Sequence, residues 1–298
     1  MPRVSVIIPT YNRADFIAYA IDSVLAQTLQ DFEIIVADDG STDETDRVLE
    51  SYGDRVRYVR LDHSGLPATV RNAALQLAQG DYVAFLDSDD GWLPHKIEQQ
   101  VRILDDNPNV GLVHSNALVL EVGQDKPSRL YFEDEKRRNG KVLRDLLQDN
   151  FVITSTAIVR RSLLKQAGSF DENRLLRAIE DYDLWLRIAA LSEFYYVPEA
   201  LAIYRDNSTS IRTQQTRVAY WQGLLLILER LKTFLKNSGY HDAIAEQLIV
   251  DLAYTYRRRL LKANWASARY IDAIHCALQL MSKRPKVFSL DTSITRRA

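Results

Sequence analysis

A single cysteine, Cys276, stands in a chain of 298 residues. That excludes an internal disulfide and fits a reducing compartment. The residue lies in a helical apolar pattern, where a small packing side chain is expected rather than a nucleophile. Long apolar runs are missing as well. The longest, such as 224–228, fall far short of the roughly 20 residues a spanning helix needs. With 11 glycines and 8 prolines, and with neither a low-complexity segment nor an internal repeat, the chain reads as ordinary globular protein. An apolar strand begins at Val4 and is broken by Pro9, so no signal peptide is expected.

What is present is a core-forming composition, 46% hydrophobic and 26% charged, enough for one large domain or two modest ones. The net charge of −2 conceals an asymmetry. Residues 212–298 carry 15 Lys and Arg against 6 Asp and Glu, whereas residues 1–211 carry 23 against 34. An acidic front with a basic tail suggests two tasks. Nucleic acid is a poor partner, because the longer part is acidic and shows no recognition motif.

The first third alternates short apolar runs at 4–8, 33–37, 56–60 and 82–86 with helical patterns between them. Ser41 and Glu44 have the spacing of a capping box for the second helix, and Pro94 the position of a first-turn proline. Such alternation calls for a mostly parallel sheet with helices on its faces. Beyond it, 110–122 and 151–159 read as strands, 123–140 as a charged loop, 180–191 as a short helix, and the regions near Tyr195 and Ile203 as further strands. From about residue 212 the pattern is helical to about 281, broken at Gly239. The boundary is therefore placed at 211, giving units 1–211 and 212–298.

In parallel sheets ligands sit beyond the carboxyl ends of the strands. The loops PTYNR, DDGST, DHSGLPATVR and DSDDGW all fall there. The stretch AFLDSDDGWLP (84–94) drives an apolar strand into Asp87, Asp89 and Asp90. Two carboxylates about 4 Å apart repel by roughly 4 kcal/mol at an effective dielectric near 20. A bound cation or a helix N-terminus relieves this more simply than protonation does. A solvated turn with a helix cap is the plainer reading of the same residues.

The segments VSVIIPTYNR, EIIVADDGSTDET, RNAAL, GDYVAFLDSDDGWLP, GSFDE and EDYDLWLR follow one another along residues 4–205. In that order and spacing they resemble the family 2 inverting glycosyltransferases. The resemblance covers about two thirds of the chain and leaves out the basic tail. It implies an α/β fold called GT-A, Rossmann-like with a mostly parallel central sheet flanked by helices, here with a C-terminal helical extension. It implies an enzyme that moves a sugar from a nucleoside-diphosphate donor to an acceptor hydroxyl with inversion, aided by Mg²⁺ or Mn²⁺, in cell-surface polysaccharide or glycolipid synthesis.

By the same resemblance, Asp87-Ser88-Asp89 is the Asp-x-Asp signature, with Asp89 on the metal and Asp87 on ribose or metal. Asp39, second of the pair Asp38–Asp39, accepts a hydrogen bond from the base. A carboxylate can pair with the N3–H of uracil or thymine, or with guanine's N–H edge, but cytosine N3 carries no hydrogen. UDP- or dTDP-sugars are therefore favoured, with GDP-sugars next. Tyr11 stacks on the base, Pro9 and Thr10 line its slot, and Arg71 contacts the diphosphate. Asp181 is the expected base, with Glu180 and Asp183 beside it as acceptor-side groups. Trp92 is a candidate sugar platform, Trp185 equally a core residue, and Arg205 a candidate near the donor. Asn207 departs from the family, which often has His there.

The stretch YRRRLLKANW (256–265) mixes Arg257, Arg258, Arg259 and Lys262 with aromatics. Basic residues attract anionic lipid at about 1 kcal/mol each, so peripheral association with the inner face of the cell membrane and a lipid-linked acceptor enter as expectations, alongside a solvated face or an oligomer contact. Competing readings are a non-catalytic glycan-binding module on the same fold, a nucleotidyltransferase, and a receiver-type signalling domain. The second should show a Gly-rich basic loop after the first strand, and the third an acid pair there. Both places are filled by PTYN.

Overall fold

The computed structural model describes residues 1–133, 139–206 and 216–282. Strands β1 (Val4–Thr10), β2 (Phe32–Asp38), β3 (Arg57–Arg60) and β4 (Tyr82–Phe85) alternate with helices α1 (Ile17–Leu25), α2 (Thr45–Glu50) and α3 (Pro67–Leu77). All four strands pair in parallel, with Val4 level with Phe32 on one side and Tyr82 on the other. Within β1, Val6 and Ile8 enter one buried cluster and Ile7 the opposite one. Both faces are covered, which is why these strands read as unbroken apolar runs. The order β3-β2-β1-β4 makes the gap between the ends of β1 and β4 the switch point where such sheets take ligands.

The second half is mixed. It comprises β5 (Gly91–Trp92), α4 (Lys96–Asp106), β6 (Val110–Leu120), β7 (Arg129–Leu130), α5 (Leu143–Gln148), β8 (Ile158–Arg160), α6 (Arg161–Ala167), α7 (Glu180–Leu191) and β9 (Glu193–Arg205). Here β8 runs antiparallel to β4 and to β6, β9 runs parallel to β6, and β5 pairs antiparallel with β9. The sheet curls away from the parallel arrangement as these strands are added, giving a mixed α/β architecture flanked by helices.

Several local expectations change. Of 151–159 only Ile158 and Val159 are strand, opening β8, because Thr154–Thr156 form a 3₁₀ turn. The two strands expected near Tyr195 and Ile203 are one 13-residue strand, bulged against β6. The Ser41–Glu44 capping box does not form: α2 starts at Thr45, and the Ser41 hydroxyl is bonded to Asp38 instead. Pro94 lies in the turn before α4 rather than in its first turn.

The tail folds as α8 (Arg217–Ser238), α9 (Ala243–Ala266) and α10 (Tyr270–Ser282). Thr216 caps α8 by accepting from the Ala219 N–H at 3.2 Å, and Gly239 ends it in the left-handed region at φ +70°. Leu224, Ile227, Leu228 and Leu231 share a buried cluster with Ile7, Phe85 and Trp185, so α8 packs against the helices that cover the sheet. Among the described residues no helix is long and apolar enough to cross a membrane. Residue 211, Asn207 and part of the 123–140 loop lie outside the described residues.

Candidate active site

The end of β1 forms the first wall. Asn12 sits at φ +50°, a region asparagine tolerates better than most residues. Its side chain accepts from the Thr42 N–H at 2.7 Å while its own N–H donates to Ser41 Oγ at 2.8 Å. This ties the β1 loop to the β2 loop and leaves Tyr11 on the surface. Thr10 is buried, and its hydroxyl has no hydrogen-bond partner among the described residues.

Asp38 and Asp39 end β2 and face different surroundings. Asp38 is fully buried. One oxygen accepts from the Ser41 N–H at 3.0 Å and from its hydroxyl, and the other accepts from the Tyr58 hydroxyl at 2.9 Å. Burial and the Asp38 charge push the Tyr58 hydroxyl up to about 12. Asp39 holds the loop after β3. Its Oδ1 accepts from the Ser64 N–H and hydroxyl, both at 2.8 Å, and its Oδ2 accepts from the Gly65 N–H at 2.8 Å and lies 3.0 Å from His63 Nδ1. The His63 ring stacks on Tyr11 at 4.3 Å.

The loop after β4 carries the acids. Arg71, buried on α3, donates to Asp87 Oδ1 at 2.8 Å and to Glu180 at the start of α7. Burial opposes the Arg71 charge, but Asp87, Glu180 and Asp181 outweigh it and hold the guanidinium charged. Asp89 lies 3.8 Å from Arg13 Nε. Asp90 points inward, where it accepts from the Ser155 hydroxyl and, at 2.9 Å, from the Arg205 N–H. Burial, and then the charges of Asp89 and Asp87, push its carboxyl well above the usual range. The Arg205 side chain donates to the Asp89 carbonyl at 3.1 Å and lies over the rings of Phe16 and Tyr19, which fastens the end of β9 to the acidic loop.

Asp181 is in the first turn of α7. Its Oδ2 accepts from the Thr154 hydroxyl at 2.6 Å and its Oδ1 from the Tyr182 N–H at 2.7 Å. Burial raises its pKa, with Thr154 and Arg71 working against the rise and Asp87 adding to it. The helix N-terminus, which by itself would keep the carboxyl acidic, is thus overcome by burial. Burial also raises Glu180, against the pull of Arg71, and one Glu180 oxygen has no hydrogen-bond partner among the described residues.

Three tentative sugar or acceptor residues are elsewhere. Trp92 is only 4% exposed, its indole N–H donates to the Ser155 carbonyl at 2.7 Å, and Lys96 covers its ring at 4.1 Å. It braces the acidic loop from behind and offers no face to a sugar. Asp183 is buried in an ion pair with Arg187 at 2.6 Å, one turn along α7, because three- and four-residue spacing turns it away from Asp181. Trp185 is a core residue against Phe85 and Phe170. Composition and spacing did not single out Thr154, Ser155, Arg13, His63 or Ser64. Arg13, His63 and Ser64 lie in the loops PTYNR and DHSGLPATVR beyond the strand ends, and for Thr154 and Ser155 the signal was the hydroxyl run TST at 154–156, set between apolar residues.

For a divalent cation the donor chemistry fits. Asp87 and Asp89 are the outward carboxylates of the loop, with side chains 36% and 20% exposed. Hard oxygen donors of this kind suit Mg²⁺ or Mn²⁺. Among the described residues no group of three or more His, Cys, Asp or Glu side chains could hold a metal alone, so further ligands would come from a bound molecule.

Solved structures share this architecture. Residues 1–349 of S. aureus TarS in complex with UDP-GlcNAc superimpose with a TM-score of 0.65 at 18% identity, over 98% of this chain and 95% of that one. The match to the longer TarS chain covers 85% of this chain and 43% of that one. The mannosyltransferase PcManGT from Pyrobaculum calidifontis, in complex with GDP-Man and Mn²⁺, gives a TM-score of 0.61 at 22% identity over 94% and 79%. The fold is thus that of the GT-A glycosyltransferases. Residues 5–168 match the family description "Glycosyl transferase family 2". An uncharacterized glycosyltransferase of Rickettsia typhi is 31% identical over 95% of this chain and 86% of its own. The putative teichuronic acid biosynthesis glycosyltransferase TuaG of Bacillus subtilis is 31% identical over 73% and 84%. The chain belongs to glycosyl transferase family 2.

Proposed function

We propose that the chain transfers a sugar from a nucleoside-diphosphate donor, UDP- or dTDP-linked before GDP-linked, to an acceptor hydroxyl with inversion. The observation that carries this is the Arg71 bridge. One guanidinium joins Asp87, on the acidic loop after β4, to Glu180, the neighbour of Asp181 on α7. Near the switch point of the sheet a single side chain thus ties together the two acidic groups this reading assigns to the reaction, which supports their acting together.

In this reading Tyr11, Thr10, Pro9 and Asp39 receive the nucleobase. Asp38, buried behind them, holds Ser41 and Tyr58 in place. Asp87, Ser88 and Arg71 face the ribose and diphosphate, and Asp87 with Asp89 would hold Mg²⁺ or Mn²⁺. When bound, the cation offsets charge on the leaving diphosphate. Asp181 takes the proton of the acceptor hydroxyl as its oxygen forms a bond to the anomeric carbon, opposite the breaking bond to the diphosphate. Glu180 supports Asp181, and Arg205 secures the loop.

The name of TuaG, a putative teichuronic acid biosynthesis glycosyltransferase, supports an acceptor in cell-surface polysaccharide synthesis, saccharide or lipid-linked. Residues 1–211 would form the catalytic unit and 212–298 a helical region packed on it. Of the basic triplet, Arg257 reaches Glu229 at 3.9 Å and Arg259 lies over Trp221 at 4.8 Å, which leaves Arg258 with Lys262 and Trp265 exposed. Those three support peripheral contact with anionic lipid on the cytoplasmic side. Thermal shift with UDP-, dTDP- and GDP-sugars, with and without Mn²⁺, tests the donor assignment. Stabilisation by a nucleotide sugar that is larger with the metal is expected, and no response to any of them would reject it.

A further inference from the structure

We propose that the His63 imidazole occupies the nucleobase slot of the donor-free protein and must swing out before the donor binds. This rests on the reading of Tyr11 and Asp39 as that slot. The ring makes the two contacts assigned there to the base. It stacks on Tyr11 at 4.3 Å with an interplanar angle of 21°. Its Nδ1 lies 3.0 Å from Asp39 Oδ2 and 2.9 Å from the Asp39 carbonyl oxygen. Both neighbours are acceptors, so Nδ1 carries the proton and donates. A flat ring on Tyr11 with an N–H aimed at Asp39 is also what a uracil or guanine ring would present.

Space makes the two exclusive. Ser64 N–H, Ser64 hydroxyl and Gly65 N–H already bond the Asp39 carboxylate. The His63 ring, hydrogen-bonded to the Asp39 carbonyl, fills the side of Oδ2 that faces Tyr11, its Nδ1 3.0 Å away. A base stacked on Tyr11 can reach Asp39 only if that ring leaves. The loop itself is pinned: Leu61 N–H donates to the Asp38 carbonyl at 2.8 Å, and Ser64 and Gly65 are held by Asp39. The His63 side chain is 50% exposed and can rotate into water while the backbone stays in place. On the residue before Tyr11, the buried Thr10 hydroxyl has no hydrogen-bond partner among the described residues.

Binding then draws only on molecules whose imidazole has swung out, which weakens apparent affinity by that fraction. Calorimetric titrations with UDP and GDP in Mn²⁺, and with inorganic pyrophosphate in Mn²⁺ as a probe lacking a base, are compared for the wild type, His63→Ala and Tyr11→Ala. His63→Ala is expected to bind the tighter nucleotide about threefold or more tightly, with pyrophosphate unchanged. The His63 ring resonances of the wild type should move on adding nucleotide and stay put on adding pyrophosphate. Unchanged or weaker nucleotide binding by His63→Ala, while Tyr11→Ala weakens it, would overturn the displacement and leave the slot standing. If Tyr11→Ala binds nucleotide as the wild type does, or neither nucleotide binds, the slot reading fails and the displacement with it.

Discussion

The Thr154 hydroxyl donates to the Asp181 carboxylate at 2.6 Å, joining the 3₁₀ turn beyond α5 to the first turn of α7. A proton acceptor must be ionised to act. Asp181 is pushed upward by burial and held back by Thr154 and Arg71. Asp181→Asn is expected to lower transfer by about 10²–10⁴-fold while donor affinity, measured by calorimetry, stays within about twofold of the wild type. Loss of donor binding with turnover per bound donor preserved would remove Asp181 from the reaction. Thr154→Val takes away the hydrogen bond that holds the Asp181 carboxylate ionised, so the Asp181 pKa should rise further. Activity requires the deprotonated form, and the acid limb of the pH–rate profile should move to higher pH.

Arg71 is buried between Asp87 and Glu180. Breaking a buried charge pair from one side costs about 3–5 kcal/mol, because the remaining charge is left without a partner. Arg71→Ala should reduce the unfolding free energy by that order in urea denaturation, and donor binding should weaken with it. Glu180→Gln keeps the Asp87 pair and should cost clearly less. Equal losses in the two variants would show that the guanidinium does not bridge them.

The parallel half of the sheet and its acid-bearing loops were legible in the sequence because both rest on local signals: apolar runs of strand length, and aspartates placed just after them. What could not be read depends on long-range partners. Trp92 beside the acidic loop looked like a sugar platform, yet its indole N–H is spent on Ser155 inside the protein. Residues 151–159 read as strand because threonine and isoleucine favour strands, whereas the turn at 154–156 is set by Asp90 and Asp181 reaching across to its hydroxyls. The triplet 257–259 contained its own warning. Consecutive helix residues do not share a face, and the three arginines point to Glu229, to solvent and to Trp221.

Asp242 links α9 to α5. It caps α9 by accepting from the Ile244 and Ala245 N–H groups, both at 3.1 Å, and pairs with Arg144 at 2.7 Å. The hydrogen bond from Arg144 leads in lowering its pKa from 3.8 to about 2. A depressed folded pKa stabilises the fold above the unfolded value and loses that contribution as pH falls through the folded one. Stability should therefore drop between about pH 4 and pH 2 by about 1 kcal/mol from this group, a figure reduced because Arg144 is half exposed to solvent. Asp242→Asn keeps a capping side chain and should flatten that part of the stability–pH curve. A curve of unchanged slope in the variant would assign the acid sensitivity to other carboxylates.

Gly223 lies inside α8, where helix propensity alone favours alanine by about 1 kcal/mol. A Cβ there would stand 2.4 Å from the Leu175 carbonyl oxygen and 2.8 Å from Ile179 Cδ1. The first obstacle is backbone, in the 3₁₀ turn Arg174–Leu176 just before α7, and cannot rotate aside. Overpacking of this kind costs about 1–3 kcal/mol, so Gly223→Ala should lower the melting temperature in spite of the better helix former. Because α8 presses on the segment leading into α7, the same variant should also slow transfer by shifting Asp181, with donor affinity nearly unchanged. A melting temperature at or above that of the wild type would mean that α8 can move off the turn at no cost, and that the C-terminal helices do not fix the position of the base.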